Sequence, residues 1–386
     1  MLNRRILRVK AMQALYGYFT ALESLKEAKR EELRKIHSLD PAKHDFAKKG
    51  LFEARKKQAV RLFNQNIFKD KVDTFEEVDE DVLSSVNDAL QSLKDGLSKE
   101  ARSRKNEMMK EARRIYDTYL KILVLPLEIE QREKLEKEKE ERAYIAKRRK
   151  SFPFINDDLI NHLKNSKILS KEVARERISW ANEQEEIKIW YREQIRKAES
   201  LAPFFDSTQE NPEGNVVMEF FKKGVFKNEM ILSYLEANNL HWSENQPIIK
   251  SMIVKTIKSW QEGVGMELAE LTKNGEDDFK FLEMLFSDII EQNDFLEDLI
   301  QKRTKNWDVE RIALTDRVIL KLALVEMMNS PSIPVKVTIN EAIEISKMYS
   351  TPKSKQFVNG VLDVLSNELT SKGKIRKSGR GLIDNK

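Results

Sequence analysis

Hydrophobic positions near the C-terminal end of the chain repeat at helical spacing in three successive segments. The first segment, residues 318–325, is apolar almost all round and is interrupted by Lys321, a pattern typical of a helix buried on most sides. Pro331 and Pro334 then break the chain. Two further apolar stripes follow, at Val337, Ile339, Ile343, Ile345 and Met348, and at Phe357, Val358, Val361, Leu362 and Leu365. Three helices joined by such short loops predict a compact bundle.

The same periodicity predicts helices along most of the remaining chain. Residues 2–25 carry a stripe that indicates one helix, at Leu7, Ala11, Ala14, Tyr18 and Leu22. Further helical segments are expected, as a hairpin over 26–75, one or two amphipathic helices over 76–125, an exposed helix of opposite charges over 128–150, and helices over 157–200 and 279–305. Residues 203–216 are predicted to be a loop, because they contain Pro, Gly, Asn and Ser in close succession.

These segments divide the chain into five parts. We expect a first helix over 1–25, a helical insertion over 26–202, a linker loop with short helices over 203–275, a C-terminal bundle over 276–370, and a basic tail over 371–386. The tail is rich in Gly, Ser and Lys and is predicted to be disordered. The predicted fold class is therefore all-α, with a helical bundle interrupted by a large helical insertion.

Composition narrows the classes of function. The net charge of the chain is only +5, so that attraction to a polyanion requires local clusters of cations. The absence of cysteine excludes disulfides, thiolate metal sites and cysteine nucleophiles, and it suits a reducing compartment. The basic N-terminus lacks the apolar region of a signal peptide, and no run approaches the ~18 apolar residues of a membrane span. We therefore expect a cytoplasmic protein with no membrane partner.

Motifs for catalysis or cofactor binding are missing from the sequence. It has no GxxxxGK[ST] phosphate loop, no GxGxxG and no HExxH. Four histidines are scattered without metal-ligand spacing, at His37, His44, His162 and His241. Asp277 and Asp278 fall in a predicted turn and have no evident partner in the sequence. We therefore predict no metal, no cofactor and no enzymatic activity.

Two basic segments are candidates for binding an anion. Arg4, Arg5 and Arg8 occupy the first two turns of the first predicted helix, where cations oppose the helix dipole. A ligand there and a solvated basic tip both remain open. Residues 351–355 place Thr, Pro, two Lys and Ser at a predicted helix start with Thr351 as N-cap. Such a start offers backbone N–H groups to a phosphate.

Two aromatic residues and one further basic run extend this set. Tyr16 and Phe357 lie near the two basic segments in sequence, and aromatic rings stack on the bases of single-stranded RNA. Packing of these two rings in the core is the alternative interpretation. The run of Lys and Arg over 147–150 is more typical of an exposed, ion-paired helix than of a nucleic-acid site.

Three segments resemble the family of the bacterial transcription antitermination factor NusB. One joins the opening arginines to the QALY sequence at 13–16, a second joins WDVERI at 307–312 to DRVIL at 316–320, and the third comprises VKVTINEAIE at 335–344 and KQFVNGVLD at 355–363. About 250 residues separate the first helix from the rest, where the family has a short connection. The chain thus resembles a long-insert version, whose first helix must return to pack with the C-terminal bundle.

The resemblance implies an all-helical, non-enzymatic protein that binds a boxA-type single-stranded element of nascent ribosomal RNA. In this family the RNA is bound together with a small-subunit ribosomal protein, NusE, and the pair helps RNA polymerase to read through terminators. The residues that match RNA-contacting positions are Arg4, Arg5, Arg8, Tyr16, Lys353, Ser354, Lys355, Gln356 and Phe357. Gln356 departs from the Lys or Arg usual there, and Lys355 is beside it. Asp316 matches the acidic contact to the ribosomal protein.

Two alternatives to this function remain. A helical scaffold that has lost RNA binding is compatible with the near-neutral charge of the insertion, although the retained arginines argue against it. NusB-like domains also precede the catalytic domain of some RNA cytosine methyltransferases. Those enzymes need a cysteine nucleophile and an α/β domain, and this sequence contains neither a cysteine nor a βαβ pattern.

Overall fold

The computed structural model describes residues 4–39, 49–69, 71–74, 77–142, 151–155, 157–206, 215–261, 267–272, 274–304 and 312–385. These residues form fifteen α-helices and no β-strand, which confirms the predicted all-α class. None of the helices in these ranges combines the length and the apolar character needed to cross a membrane. Residues 147–150 and the WDVERI segment at 307–312, apart from Ile312, lie outside the described residues.

The helices follow one another along the chain, with short 3₁₀ and π-helical turns between some of them. They are α1 Arg4–Ile36, α2 Lys49–Asn66, α3 Glu80–Arg142, α4 Asp158–Asn165, α5 Lys167–Arg175, α6 Gln184–Ile189, α7 Ala202–Phe205, α8 Val216–Glu219, α9 Glu229–Asn238, α10 Trp242–Gln261, α11 Glu276–Glu291, α12 Asn293–Arg303, α13 Leu314–Asn329, α14 Val335–Tyr349 and α15 Ser354–Ser371. The segments predicted over 76–125 and 128–150 are thus joined in one helix, α3, while the segment over 279–305 is divided between α11 and α12.

The chain forms two compact units. The core unit contains Arg4–Lys110 and Glu276–Lys386, and the insert unit contains Glu111–Gly275. The predicted insertion over 26–202 is therefore shared between the two units. One reason is that α1 continues to Ile36, well past residue 25.

In the core unit, α13 is the central helix. It contacts α1, α11, α12, α14 and α15, and ten consecutive residues from Val318 to Met327 are buried. The first helix packs against α11 and α13 through a buried stripe at Leu7, Ala11, Leu15, Phe19 and Leu22. The expectation that the first helix returns to the C-terminal bundle is therefore confirmed. A helix with such an apolar stripe buries it against neighbouring elements.

A smaller apolar cluster holds the far end of α1 in the core unit. Leu33 packs with α2 and the first turns of α3, and the buried members on these two helices are Ala59, Leu62, Phe63, Val82, Val86, Ala89, Leu90 and Leu93. The helical hairpin expected over 26–75 corresponds to α1 and α2, which contact each other. This three-helix cluster explains why residues 26–110 belong to the core unit.

The insert unit has an aromatic core. The rings of Trp180 and Trp190 meet edge to face with centroids 5.9 Å apart, and Tyr234 lies 5.2 Å from Trp190. Lys121 Nζ lies 4.4 Å from the centre of the Trp180 ring. The tryptophan rings are 1% and 3% exposed, so they stabilise this unit through burial and ring contacts and offer no platform to a ligand.

One feature of α3 differs from its predicted exposed face. Glu130 and Glu133 are buried within the stretch that was expected to be a solvated, ion-paired helix. Glu133 accepts hydrogen bonds from the backbone N–H groups of Phe154 and Ile155 at 2.8 and 2.9 Å and from the Tyr191 hydroxyl at 3.1 Å. Opposite charges at helical spacing do not reveal which of them faces a neighbouring element, and here a packed segment covers this carboxylate.

Candidate nucleic-acid interface

Arg8 forms a buried ion pair at the start of α1. Its Nε and Nη2 atoms donate to the two carboxylate oxygens of Glu326 on α13, at 2.6 and 2.7 Å. Arg8 is 6% exposed and Glu326 is 1% exposed. The Thr338 hydroxyl on α14 donates to the same carboxylate at 2.6 Å. Arg8 therefore joins α1 to α13 and exposes little surface to a ligand. The family resemblance implied instead that Arg8 contacts RNA.

Arg5 is paired in the same two-pronged manner but remains half-exposed. Its Nε and Nη2 atoms each donate to Glu341 of α14 at 2.8 Å, and 41% of its side chain is accessible. The hydrogen bonds from Arg5 hold the pKa of Glu341 below its usual range. Two charge-assisted bonds fix the plane of the guanidinium, so its free edge points in a defined direction.

Arg4 is the third member of this group. Its Nε lies 3.7 Å from Asp278 of α11, and its guanidinium lies 5.1 Å from the centre of the Phe281 ring. The side chain is 37% exposed. Asp278 is 5% exposed and lies in the first helical turn of α11. The sequence pattern predicted that it lies in a turn between helices without a partner, whereas the structure places it in a helix beside Arg4. We call Arg4, Arg5 and Arg8 with Asp278, Glu326 and Glu341 the arginine end.

The second predicted patch surrounds the start of α15. Lys353, Lys355 and Gln356 are exposed, but Ser354 is 2% exposed. The Ser354 hydroxyl donates to Asp316 of α13 at 2.7 Å, and the hydroxyl oxygens of Ser350 and Thr351 lie 3.0 and 2.8 Å from it. A charge-assisted bond to a buried carboxylate is strong, so this serine is committed to the fold. We call residues 353–356 the lysine turn.

Two expectations at this turn concern Asp316 and Thr351. Asp316 is 6% exposed, so its carboxylate lies beneath the surface that the family resemblance assigned to the ribosomal protein. The helix begins at Ser354 with Lys353 as N-cap and no side-chain cap, so Thr351 is not the N-cap. Its hydroxyl instead contacts that of Ser354, which donates to the Asp316 carboxylate.

The aromatic residues of the predicted site differ from each other. Tyr16 is 45% exposed, whereas Phe357 is half-buried. Along α1, Arg8 lies against Glu326 and Phe19 lies under Lys321, with Lys321 Nζ 4.0 Å from the ring centre. Helices α1 and α13 therefore run antiparallel. Tyr16 lies between these two contacts and is the more accessible of the two rings for a base.

The arginine end and the lysine turn are separate places on the bundle. Glu326, which holds Arg8, and Asp316, which holds Ser354, are ten residues apart on α13. At 1.5 Å per residue this spacing corresponds to about 15 Å along the helix axis. A ligand that contacts both must therefore be extended, as a single-stranded nucleic acid is.

The sequence reasoning missed the carboxylates that hold the arginines. The signal for Glu341 was present, because it lies within the INEAIE segment at 339–344. Glu326 and Asp278 carry no local signal that distinguishes them from other acidic residues. Within the described ranges, no group of His, Asp and Glu is arranged to bind a metal ion. His37, for example, is buried and contacts the Ser85 hydroxyl at 2.8 Å.

Comparison with known proteins gives one consistent relationship. The model of the NusB family matches residues 247–367. Transcription antitermination protein NusB of Chloroherpeton thalassium is 44% identical over 104 residues, which are 27% of this chain and 49% of that protein. Its namesake from Salinibacter ruber is 43% identical over 103 residues, 27% of this chain and 64% of that protein. The chain thus spans about half to two thirds of the length of these two relatives.

Two further matches have the same name. Transcription antitermination protein NusB of Bacillus pumilus is 45% identical over 89 residues, 23% of this chain and 68% of that protein. A solved structure of T. maritima NusB is 38% identical and covers 26% of this chain and 67% of its own, with a TM-score of 0.23. The family model matches only the last few tens of residues of the insert unit together with most of the C-terminal part of the core unit.

Proposed function

Because this chain belongs to the NusB family of transcription antitermination proteins, we propose that it binds a boxA-type single-stranded element of nascent ribosomal RNA. In this proposal it acts with the small-subunit ribosomal protein NusE in the antitermination complex of RNA polymerase and promotes read-through of terminators. The observation that carries the proposal is the arginine end, where Arg4 and Arg5 are held by carboxylates while about two fifths of each side chain stays accessible.

Held arginines suit a phosphate ligand. A guanidinium has five donors in a planar fork, and Arg5 uses two N–H groups on Glu341, so donors remain on its outer edge. The paired carboxylate also reduces the conformational freedom that the side chain would lose on binding. In this proposal Arg4 and Arg5 contact RNA directly, and Arg8 positions the helix that carries them.

The lysine turn supplies the second contact. Lys353 and Lys355 are exposed on either side of the buried Ser354, and we assign them to the RNA backbone, with Gln356 beside them. Tyr16, exposed on α1, is assigned to a base in the path between the two patches. Asp316 fixes the start of α15 through Ser354, and it therefore shapes the surface offered to the ribosomal protein from below.

The test is a titration of the full chain with a labelled boxA-type single-stranded RNA, with and without the ribosomal protein, across salt concentration. We expect the logarithm of the affinity to fall linearly with the logarithm of salt, as phosphate contacts require. Arg4→Ala/Arg5→Ala should weaken binding roughly tenfold or more, since it removes two charged contacts. Lys99→Ala/Arg102→Ala, which removes two exposed cations from α3, is the control and should bind as the wild type does.

One observation favours a second function, that of a helical scaffold without RNA binding. Each of the three arginines already has a carboxylate partner, so the arginine end carries no net charge from these six residues. The same titration discriminates between the two functions. A wild-type chain that binds RNA weakly, with no slope against salt and no response to Arg4→Ala/Arg5→Ala, would support the scaffold.

A further inference from the structure

The C-terminal segment that follows α15 is folded onto the core unit. It lies beyond residue 367, the last one matched by the family model. Lys377 Nζ donates to the Ser330 carbonyl at 2.9 Å, and the backbone N–H of Ser378 donates to the Pro331 carbonyl at 3.0 Å. Ile375 is 5% exposed. The structure therefore differs from the predicted disordered tail, and we call residues 372–383 the folded tail.

Two glycines explain why a Gly- and Lys-rich segment folds back. Gly373 has φ +66°, its N–H bonds to the Thr370 carbonyl at 3.0 Å, and the N–H of Lys374 bonds to the Leu369 carbonyl at 2.8 Å. This is the Schellman pattern that ends a helix and turns the chain. At Gly381 an added Cβ would lie 2.0 Å from the Pro331 carbonyl oxygen, so the close approach there requires glycine.

The folded tail lies next to the arginine end. Ser330, which receives the Lys377 bond, is the C-cap of α13 and lies one helical turn after Glu326, the partner of Arg8. The final 3₁₀ helix, Gly379–Asn385, contacts α14, the helix that carries Glu341. Burial lowers the pKa of Lys377, and the negative charge of Glu326 opposes that change, as expected for neighbouring groups.

The arginines of the arginine end and those of the folded tail differ in their partners. Arg4, Arg5 and Arg8 each face a carboxylate. Arg376 and Arg380 are exposed, and within the part of the chain that the structure describes neither forms an ion pair with a carboxylate. The hydrogen bond of Arg376 goes from Nε to the Gly373 carbonyl at 3.0 Å. Among the described residues of the arginine end and the folded tail, positive charge without a carboxylate partner therefore comes from the tail.

We propose that Arg376 and Arg380 bind backbone phosphates of the RNA that occupies the arginine end, so that the folded tail extends the site beyond the family domain. This inference rests on the proposed RNA-binding function. Phosphate is favoured as the ligand because a guanidinium fork matches it in two-pronged geometry. An extended anionic chain also reaches from Arg5 to the tail without requiring a complementary protein surface.

The experiment uses the full chain and a labelled boxA-type single-stranded RNA. We expect Arg376→Ala/Arg380→Ala to lower the affinity about tenfold at ~0.1 M salt and to reduce the slope of log affinity against log salt by about 1.4, or ~0.7 for each phosphate contact. Arg376→Lys/Arg380→Lys keeps the charge and should retain most of the slope. Lys99→Ala/Arg102→Ala removes the same charge from α3 and should leave both quantities unchanged.

A second variant tests the position of the tail without changing its charge. Gly381→Ala should force the 3₁₀ helix away from Pro331 and lower RNA affinity several-fold, while the thermal unfolding of the protein, followed by circular dichroism, shows that the bundle remains folded. If Arg376→Ala/Arg380→Ala binds RNA as the wild type does, the tail inference is wrong and the proposed function stands. If the wild type has no salt-dependent affinity for RNA, both are wrong.

Discussion

Two buried carboxylates, one in each unit, occupy opposite electrostatic environments. Glu326 in the core unit is 1% exposed and forms a two-pronged ion pair with Arg8. Glu133 in the insert unit is 0% exposed and accepts two backbone N–H bonds and one tyrosine hydroxyl bond. Burial raises the pKa of Glu133 to about 7, although these hydrogen bonds oppose the change. Equal burial is thus accompanied by different partners, a guanidinium at Glu326 and backbone and tyrosine donors at Glu133.

The difference between Glu326 and Glu133 lies in the groups that each carboxylate binds. The core unit uses arginine–carboxylate pairs to join α1 to α11, α13 and α14, and two of these arginines, Arg4 and Arg5, also present their free edges on the surface. The insert unit uses a carboxylate to satisfy the backbone of the segment that follows α3. In the core unit the pairs serve both packing and a candidate site, whereas Glu133 serves packing alone.

Among substitutions that test the comparison of Glu326 with Glu133, Glu326→Ala is expected to have the largest effect on stability. It removes the two hydrogen bonds that hold the buried Arg8 guanidinium and leaves it the longer contact of Nη1 with Glu341 at 3.6 Å, and breaking a buried pair costs about 3–5 kcal/mol. Urea unfolding followed by circular dichroism measures it. Arg8→Met/Glu326→Met should lose less unfolding free energy than Arg8→Met and Glu326→Met lose in sum, since neither charge is then left alone. Full additivity would contradict a direct ion pair.

The next effect is a pH dependence confined to the insert unit. The pKa of Glu133 is about 7 in the folded state and about 4.5 as a reference, so the folded state binds more protons than the unfolded state between these values. Stability should therefore be greatest below pH ~4.5 with respect to this group and fall by about 3 kcal/mol as pH rises to 7. Glu133→Gln should remove this slope.

Tryptophan fluorescence reports mainly on the insert unit, because four of the five tryptophans lie in it, at positions 180, 190, 242 and 260. Tryptophan fluorescence during urea unfolding at pH 5 and pH 8 reports its stability. If Glu133→Gln keeps the pH slope of the wild type, another group is responsible. Glu326→Gln, measured in the same way, is the matched control in the core unit.

A smaller effect is expected at the lysine turn. Ser354→Ala removes the hydrogen bond to the buried Asp316 carboxylate and should lower the free energy of unfolding by about 1–3 kcal/mol. Ser366→Ala, on the same helix, loses a hydroxyl that donates to the uncharged Asp363 carbonyl at 3.0 Å and should cost less. Equal costs for the two substitutions would mean that the Asp316 contact has no special importance.

The smallest effect is expected at the partly exposed pair of Arg5 and Glu341. Because solvent screens it, Glu341→Gln should cost roughly 0.5–1 kcal/mol at neutral pH. The pKa of Glu341 is lowered in the folded protein by Arg5, so the contribution of the pair is present above the ordinary glutamate pKa and disappears as pH falls below it. Unfolding at pH 3 and pH 7 measures this. If Glu341→Gln loses more unfolding free energy at pH 3 than at pH 7, the pair of Arg5 and Glu341 does not stabilise the fold.

Several features of the molecule followed from local pattern. The nearly all-apolar stretch around Lys321 predicted a central helix, and α13 is that helix. The stripes at Val361 and Leu365 and at Ile339 and Ile345 predicted α15 and α14. Helical period depends on a few neighbouring residues, so it can be read from a single stretch of sequence. The segment after Ser371 was misjudged because its composition hid the helix-ending turn at Gly373.

The sequence by itself determined the helices, the all-α class and the positions of the cations at Arg4, Arg5, Lys353 and Lys355. Only the tertiary structure decided which of the site residues are accessible. The bonds of Arg8 to Glu326 and of Arg5 to Glu341 join positions 318 and 336 residues apart, and the bond of Ser354 to Asp316 spans 38. Such pairings depend on packing between distant elements, which no local period encodes. The same packing that buries Arg8, Ser354 and Asp316 also decides which charged side chains remain on the surface.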